Sequence, residues 1–379
     1  MRFILAPDSF KESLTAVEAA EALARGVRRA LPDAETVLLP VGDGGEGTMD
    51  ILVHALGGQV YRTEVTYPLG ERGTAEYAVL GDGKTAVVEL ARASGIHLVP
   101  REKRDPLRTT TFGTGELIRA ALSHPVERLI VTIGGSATND AGAGMLQALG
   151  AGILGGAGLP AGFGGGSLGD VERVDLSTLH PRLREVELLV ACDVTNPLIG
   201  PHGASRVFGP QKGADPETVE RLEANLARFA DVVRRDAGRA LHDEPGAGAA
   251  GGTGAALMLC GGRLVSGIDL VLDTLGFEAK LQDADYVFTG EGKIDGQTPG
   301  GKVIAGIVRR ARKAGVPVIA FAGAVRPGYE PLYEEGLLAV FGITPYPCRL
   351  EQALRESGAN LSAAAENVAR LLARGGSRA

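Results

Sequence analysis

Polar, glycine-rich loops recur directly behind short apolar runs, and they carry the side chains of phosphate chemistry. Behind residues 3–6 comes Pro7-Asp8-Ser9-Phe10-Lys11, and behind 36–41 comes Gly42-Asp43-Gly44-Gly45-Glu46-Gly47-Thr48. Behind 129–133 comes Gly134-Gly135-Ser136-Ala137-Thr138-Asn139-Asp140, behind 186–191 Cys192-Asp193-Val194-Thr195-Asn196-Pro197, and behind 286–289 Gly290-Glu291-Gly292-Lys293-Ile294-Asp295-Gly296. Glycine leaves backbone N–H groups open to an anion, above all beside a helix N-terminus. Gly44-Gly45 and Gly134-Gly135-Ser136 are the strongest candidates for such a cradle. Asp43, Asp193, Glu291 and Asp295 offer oxygen ligands for Mg²⁺, which favours carboxylates combined with substrate phosphates. One of these carboxylates can instead orient or deprotonate a hydroxyl nucleophile. Of the 39 basic residues only eight are lysines, yet Lys11, Lys212, Lys293 and Lys302 all lie in glycine-rich or polar loops. A compact ammonium there neutralises a transferring phosphoryl group or a carboxylate. Phosphoryl transfer to a small polar acceptor accounts for the set.

Helix capping explains part of this pattern but not all of it. Asp140 reads as the cap of a helix over 141–149. Asp8 and Lys11 are surplus, because Thr15 with Glu18 already forms a capping box for the next helix. Asp43 and Glu46 are surplus to Thr48, which reads as the cap of 49–56, and neither Asp193 nor Asp295 opens a helix.

The apolar runs at 3–6, 36–41, 129–133, 186–191, 286–289, 318–322 and 337–341 read as buried parallel strands. Helices are expected at about 16–31, 49–56, 302–313 and 349–374, and the alternation predicts an α/β fold with a Rossmann-like, doubly wound parallel sheet. Two stretches break the rhythm. Residues 59–90 alternate like strands around an Asp82-Gly83 hairpin signal, and 202–267 show little strand character apart from a long helix opening at Asp215-Pro216. The expected organisation is a discontinuous Rossmann-like domain (1–57, 125–200, 280–379) with a second, smaller inserted α/β domain (58–124, 201–279). The active site is expected in the cleft between them, because open parallel sheets bind ligands beyond the carboxyl ends of their strands.

Composition narrows the function. The 39 basic and 46 acidic residues leave a net charge of −7, which argues against nucleic acid as partner. No apolar run is long enough to span a membrane, residues 1–7 carry no signal-peptide core, and three scattered cysteines fit a reducing cytoplasm. A homo-oligomer is left open. Glycine, at 56 residues, is about twice its usual share but follows no period, so it marks loops instead of a fibrous repeat. Gly246-Ala247-Gly248-Ala249-Ala250-Gly251 matches a dinucleotide fingerprint without the preceding strand, Gly165-Gly166-Ser167-Leu168-Gly169 matches a hydrolase elbow without strand or helix, and no Walker loop occurs.

The blocks Ala6-Pro7-Asp8-Ser9-Phe10-Lys11, Asp43-Gly44-Gly45-Glu46-Gly47-Thr48, Gly134–Asp140 and Gly209-Pro210-Gln211-Lys212-Gly213-Ala214, joined by 245–252 and 289–298, resemble in order the signature blocks of the bacterial class I glycerate kinases. The resemblance runs over nearly the whole chain. It implies ATP-dependent phosphorylation of D-glycerate with Mg²⁺, at the 2-hydroxyl, giving 2-phosphoglycerate. Two departures stand out: Glu12 and Ala141 occupy places where the family usually has glycine. The expected roles are Asp193 or Asp295 orienting the glycerate hydroxyl, and Lys11 and Lys293 neutralising phosphate or carboxylate charge. Asp8, Ser9, Gly44, Gly45, Gly134, Gly135, Ser136, Asn139 and Lys212 are expected to bind substrate and phosphate, with Asp43 and Glu291 at the metal. The alternatives are a nicotinamide-dependent oxidoreductase on a Rossmann-like sheet and a non-catalytic sensor of phosphorylated acids. The carboxylate-rich loops favour the kinase, because a passive anion sensor gains nothing from negative charge around its ligand.

Overall fold

The computed structural model of the protein describes residues 1–300 and 303–375, so Lys302 lies outside the described residues. Among these the strands are β1 (Arg2–Leu5), β2 (Glu35–Leu38), β3 (Gly58–Thr66), β4 (Arg72–Leu80), β5 (Thr85–Glu89), β6 (Arg128–Thr132), β7 (Gly152–Leu154), β8 (Arg173–Asp175), β9 (Glu187–Ala191), β10 (Arg263–Val265), β11 (Tyr286–Ile294), β12 (Val318–Val325) and β13 (Leu337–Gly342). The chain divides into two compact units. One comprises Met1–Asp43, Asp50–Ala55 and Ile268–Ala379, and the other comprises Gly44–Met49 and Leu56–Gly267.

The first unit is built on a fully parallel sheet of order β13-β12-β11-β1-β2. Taken in chain order within this sheet the strands run 2-1-3-4-5, a doubly wound arrangement whose winding reverses between β1 and β11. Its strands are short apolar runs because both faces are covered. Phe3, Leu5, Phe288 and Phe321 are buried in one core, with Phe288 edge-on to Phe3 and Phe321 at 5.2 Å each. Truncating Phe288 to Ala is worth about 3–5 kcal/mol at such a site. The Ala16–Ala30 helix begins at the expected box: Glu18 N–H donates to Thr15 Oγ1 at 3.2 Å, and Thr15 N–H donates to Glu18 Oε2 at 2.8 Å. Gly26 lets this helix meet the Leu350–Gly375 helix, since a Cβ there would strike the Ser362 carbonyl.

The inserted unit carries a mixed sheet of order β10-β9-β6-β5-β4-β3. The strands from β10 to β5 are parallel, while β4 and β3 are antiparallel additions. The Asp82-Gly83 signal sits at the β4–β5 turn, where the Asp82 carboxylate accepts from the N–H groups of Lys84 and Thr85. Asp215 caps the Pro216–Ala237 helix by accepting from Thr218 N–H at 2.8 Å.

Three expectations are corrected. Residues 125–200 belong to the inserted unit, because β6 pairs with β5 on one side and β9 on the other. The inserted unit is accordingly the larger of the two. Thr48 does not cap the Thr48–Leu56 helix: Gly47 holds the cap position in a left-handed conformation, φ 86°, without a side-chain bond. The buried carboxylate of Glu89, at the end of β5, accepts from Met49 N–H at 2.9 Å and satisfies that helix end from a distance in sequence.

Candidate active site

In the first unit the winding reversal between β1 and β11 is where a doubly wound sheet opens a crevice at its carboxyl edge. The two strands are tied there: Asp8 N–H donates to the Gly290 carbonyl at 2.9 Å, and Thr289 Oγ1 donates to the Ala6 carbonyl at 2.8 Å. A cavity of 760 Å³ lies at this edge. Asp8, Ser9, Lys11 and Asp43 line it from the loops after β1 and β2, and Glu291, Lys293 and Asp295 from β11 and its extension. The apolar wall is Val303, Ile304 and Leu354. Seven of the expected site residues, far apart in sequence, therefore share one concavity.

Its charges are unevenly balanced. Burial pushes the Glu291 carboxyl up from 4.5 to about 7, with the negative charge of Asp8 adding to the rise. Burial likewise lifts Asp8 from 3.8 to about 6, opposed by the Ser9 N–H and reinforced by Asp43. Asp295 moves the other way: Lys293 Nζ stands 2.6 Å from its Oδ2, Gln297 N–H donates to Oδ1 at 2.9 Å, and the carboxyl is held below its ordinary value. Thr298, which the sequence reading did not single out as a site residue, closes this turn. Its hydroxyl donates to Glu291 Oε1 at 3.3 Å and accepts from Asp295 N–H at 3.0 Å. An Asp followed three residues on by Thr is the local signal that marks it.

The other expected residues lie in the inserted unit, at the carboxyl ends of β6 and β9. Gly44 has φ +81°, and a Cβ there would lie 2.6 Å from Gly267 Cα. A Cβ on Gly134 would meet Gly45 Cα at 3.3 Å, and one on Gly135, φ +69°, would strike the Glu46 carboxylate. Gly44 and Gly135 hold left-handed conformations that favour glycine, while a Cβ on Gly134 would need Gly45 to give by a few tenths of an ångström. Asp193 accepts from Gly267 N–H at 2.9 Å, which fixes its carboxylate behind β9. Ser136 is 8% exposed.

Asn139 and Lys212 depart from expectation. Both are buried, Asn139 donating to Ser205 Oγ at 2.9 Å and Lys212 donating to Ser136 Oγ and the Thr138 carbonyl. Neither is among the residues that line the cavity of the first unit. Asp140 is the expected cap in part: it accepts from Gly142 and Gly144 N–H, and also from the Thr111 backbone and hydroxyl. The sequence reading missed Glu89, whose carboxylate joins Met49 N–H to Arg92 Nε.

Glu12 and Ala141 adopt φ 64° and 53°, the left-handed region in which a side chain is strained. Glu12→Gly is expected to raise stability by about 0.5–1 kcal/mol. The urea midpoint measures this, and an unchanged or lower midpoint refutes it.

A model of the glycerate kinase family matches residues 3–373 of the chain. "Glycerate kinase" of Haemophilus influenzae is 51% identical over 374 residues, covering 98% of this chain and 99% of that one. "Glycerate 2-kinase" of Escherichia coli is 48% identical, covering 99% of each. A solved structure from Salmonella typhimurium LT2, described as a candidate glycerate kinase 2, superposes with a TM-score of 0.91 at 49% identity and covers 100% of this chain and 99% of its own. With likeness of this extent in both sequence and fold, the chain belongs to the glycerate kinase family.

Proposed function

We propose that this protein transfers the γ-phosphoryl group of ATP to the 2-hydroxyl of D-glycerate, with Mg²⁺, giving 2-phosphoglycerate and ADP. The observation that carries this reading is likeness to glycerate kinases over the full chain, and the Escherichia coli relative named for the 2-position supports the regiochemistry. In the reaction an oxygen–phosphorus bond forms to the glycerate oxygen, the bond to the bridging oxygen of ADP breaks, and the hydroxyl proton leaves. Little covalent work falls to the protein, so charge placement dominates.

The carboxylates of the first unit fit Mg²⁺. Burial and the charge of Asp8 raise Glu291, and burial with the charge of Asp43 raises Asp8, a concentration of negative charge that a divalent cation relieves. Among the described residues no group of three or more metal-ligating side chains converges. Mg²⁺ keeps one or two carboxylates and takes its remaining oxygens from phosphate and water. Asp43 and Glu291 would hold the ion, which would neutralise negative charge on the transferring phosphoryl group. Lys11 supplies a compact positive charge to phosphate or to the glycerate carboxylate. Lys293 does so while holding Asp295, so that Asp295 stays ionised at neutral pH. The group that orients the glycerate hydroxyl is Asp193 or Asp295. The N–H groups of Gly44, Gly45, Gly134 and Gly135 serve as anion donors.

The test adds enolase, without a phosphoglycerate mutase, to the protein with ATP, Mg²⁺ and D-glycerate. Phosphoenolpyruvate forms directly if the 2-hydroxyl is phosphorylated. ADP release without phosphoenolpyruvate refutes the 2-position, and no ADP release refutes the acceptor.

A further inference from the structure

The loop over residues 134–140 is polar and yet withdrawn from water: Thr138 and Asn139 are fully buried and Asp140 is 1% exposed. Two of its side-chain atoms, Thr138 Oγ1 and Asn139 Oδ1, have no hydrogen-bond partner. The loop also takes support from outside itself. Part of it is backbone pairing, with Ile96 N–H donating to the Gly135 carbonyl and Ala137 N–H donating to the Ser94 carbonyl. The rest is Lys212. It ends a short 3₁₀ turn, Pro210–Lys212, and is 2% exposed. Its Nζ donates to Ser136 Oγ at 2.8 Å and to the Thr138 carbonyl at 2.6 Å.

Neither acceptor is a carboxylate. Taking an ammonium out of water without a hydrogen-bonded counter-ion is costly, and a methionine of similar length would avoid that cost. Burial accordingly drives the lysine down from 10.5 to about 7, with only the through-space charge of Asp140 opposing the fall. Stability of the unit therefore does not explain the residue. The geometry does: both bonds of one tetrahedral donor end on one loop, two residues apart, next to the Gly134 and Gly135 amides.

We propose that Lys212 is a positioning residue for phosphoryl transfer, a buried strut that holds the 134–138 backbone as a rigid anion cradle without touching the ligand. The proposal rests on the reading of that loop as a phosphate cradle. Donors fixed before the reaction need no rearrangement as charge develops, and this is where such a strut has its effect.

Lys212→Met, Ser136→Ala and the double variant of the full chain test it. In Lys212→Met, kcat with ATP and D-glycerate falls about 10²-fold while both KM values stay within about threefold, and Tm is equal to or above that of the wild type. Ser136→Ala, which removes one acceptor and leaves the fold intact, lowers kcat about tenfold at unchanged KM. The double variant is no slower than Lys212→Met alone, because the hydroxyl acts through the ammonium. In the ligand-free chain, amide exchange over 134–138 quickens by about tenfold or more in Lys212→Met. Multiplicative losses in the double variant, or a tenfold rise in one KM at unchanged kcat, overturn the strut in favour of direct ligand contact. A lowered Tm makes Lys212 a structural residue and also overturns it. Unchanged amide exchange overturns the strut whatever the acceptor, whereas absence of turnover by the wild type with D-glycerate retires only the acceptor reading.

Discussion

At pH 8 the ligand-free Glu291→Gln variant unfolds at a higher temperature than the wild type, yet it phosphorylates glycerate at least about 10²-fold more slowly. Both halves of this expectation come from one carboxyl group. In the folded chain Glu291 titrates near 7 instead of 4.5, because burial and the neighbouring Asp8 disfavour its anion. The folded state therefore holds that proton more tightly than the unfolded state. Its contribution to stability is complete below pH 4.5 and is lost as pH rises through about 7. Glutamine keeps the shape without the charge, so the gap in Tm between variant and wild type opens across that window and is constant above it. Asp8 adds a loss of the same sign between 3.8 and about 6. Mg²⁺ with ATP should reverse the order, raising Tm of the wild type by preferential binding to the folded state and leaving the variant nearly unmoved. Scanning calorimetry from pH 4 to 9, with and without Mg-ATP, decides the matter. Parallel pH profiles for the two proteins would remove Glu291 from the metal site.

The second large effect separates two carboxylates that the sequence leaves equivalent. Asp295→Asn and Asp193→Asn are each compared with the wild type for kcat and for KM of glycerate. The one that orients the reacting hydroxyl loses about 10²-fold or more in kcat as the asparagine, while the other changes kcat by less than about tenfold. The two differ in surroundings. Asp295 is held ionised by Lys293 and by Gln297 N–H, so a fall in its activity cannot be recovered by raising the pH. Asp193 is anchored through Gly267 N–H, and losing one acceptor oxygen there disturbs Ser266 and Gly267, which follow β10. If neither substitution lowers kcat tenfold, the hydroxyl is oriented by another group.

Much of the candidate site's clustering could be read before the fold was known, for a definite reason. Loops behind apolar runs are local features, and a doubly wound sheet delivers all of them to its carboxyl edge, so Asp8, Asp43, Glu291 and Asp295 meet without any pairwise signal between them. The Thr15–Glu18 box is local for the same reason. What the residues could not disclose was partnership. The run at 129–133 reads as a buried strand whichever sheet it joins, and its allegiance is settled by pairing with β5 and β9. Glu89 capping the helix at 48–56 is hidden in the same way, since the capping group lies on a different element. Lys212 was legible as unusual among so few lysines, but its burial against Ser136 and Thr138 depends on elements distant in sequence. Glu12 and Ala141, which stand where the family usually has glycine, prove to have positive φ, a backbone feature that the sequence analysis did not draw from them.

The order in which the parallel sheet is assembled bears on synthesis. β1 lies between β2 and β11, and the bond from Thr289 to Ala6 spans 283 residues. On the ribosome, β1 and β2 emerge first and stay without their central neighbour until nearly three quarters of the chain has followed, while every strand of the mixed sheet becomes available in between. The larger unit can thus be finished first, and the nascent N-terminus, which carries Asp8 and Lys11, is the part most exposed to holdase chaperones and to premature strand pairing.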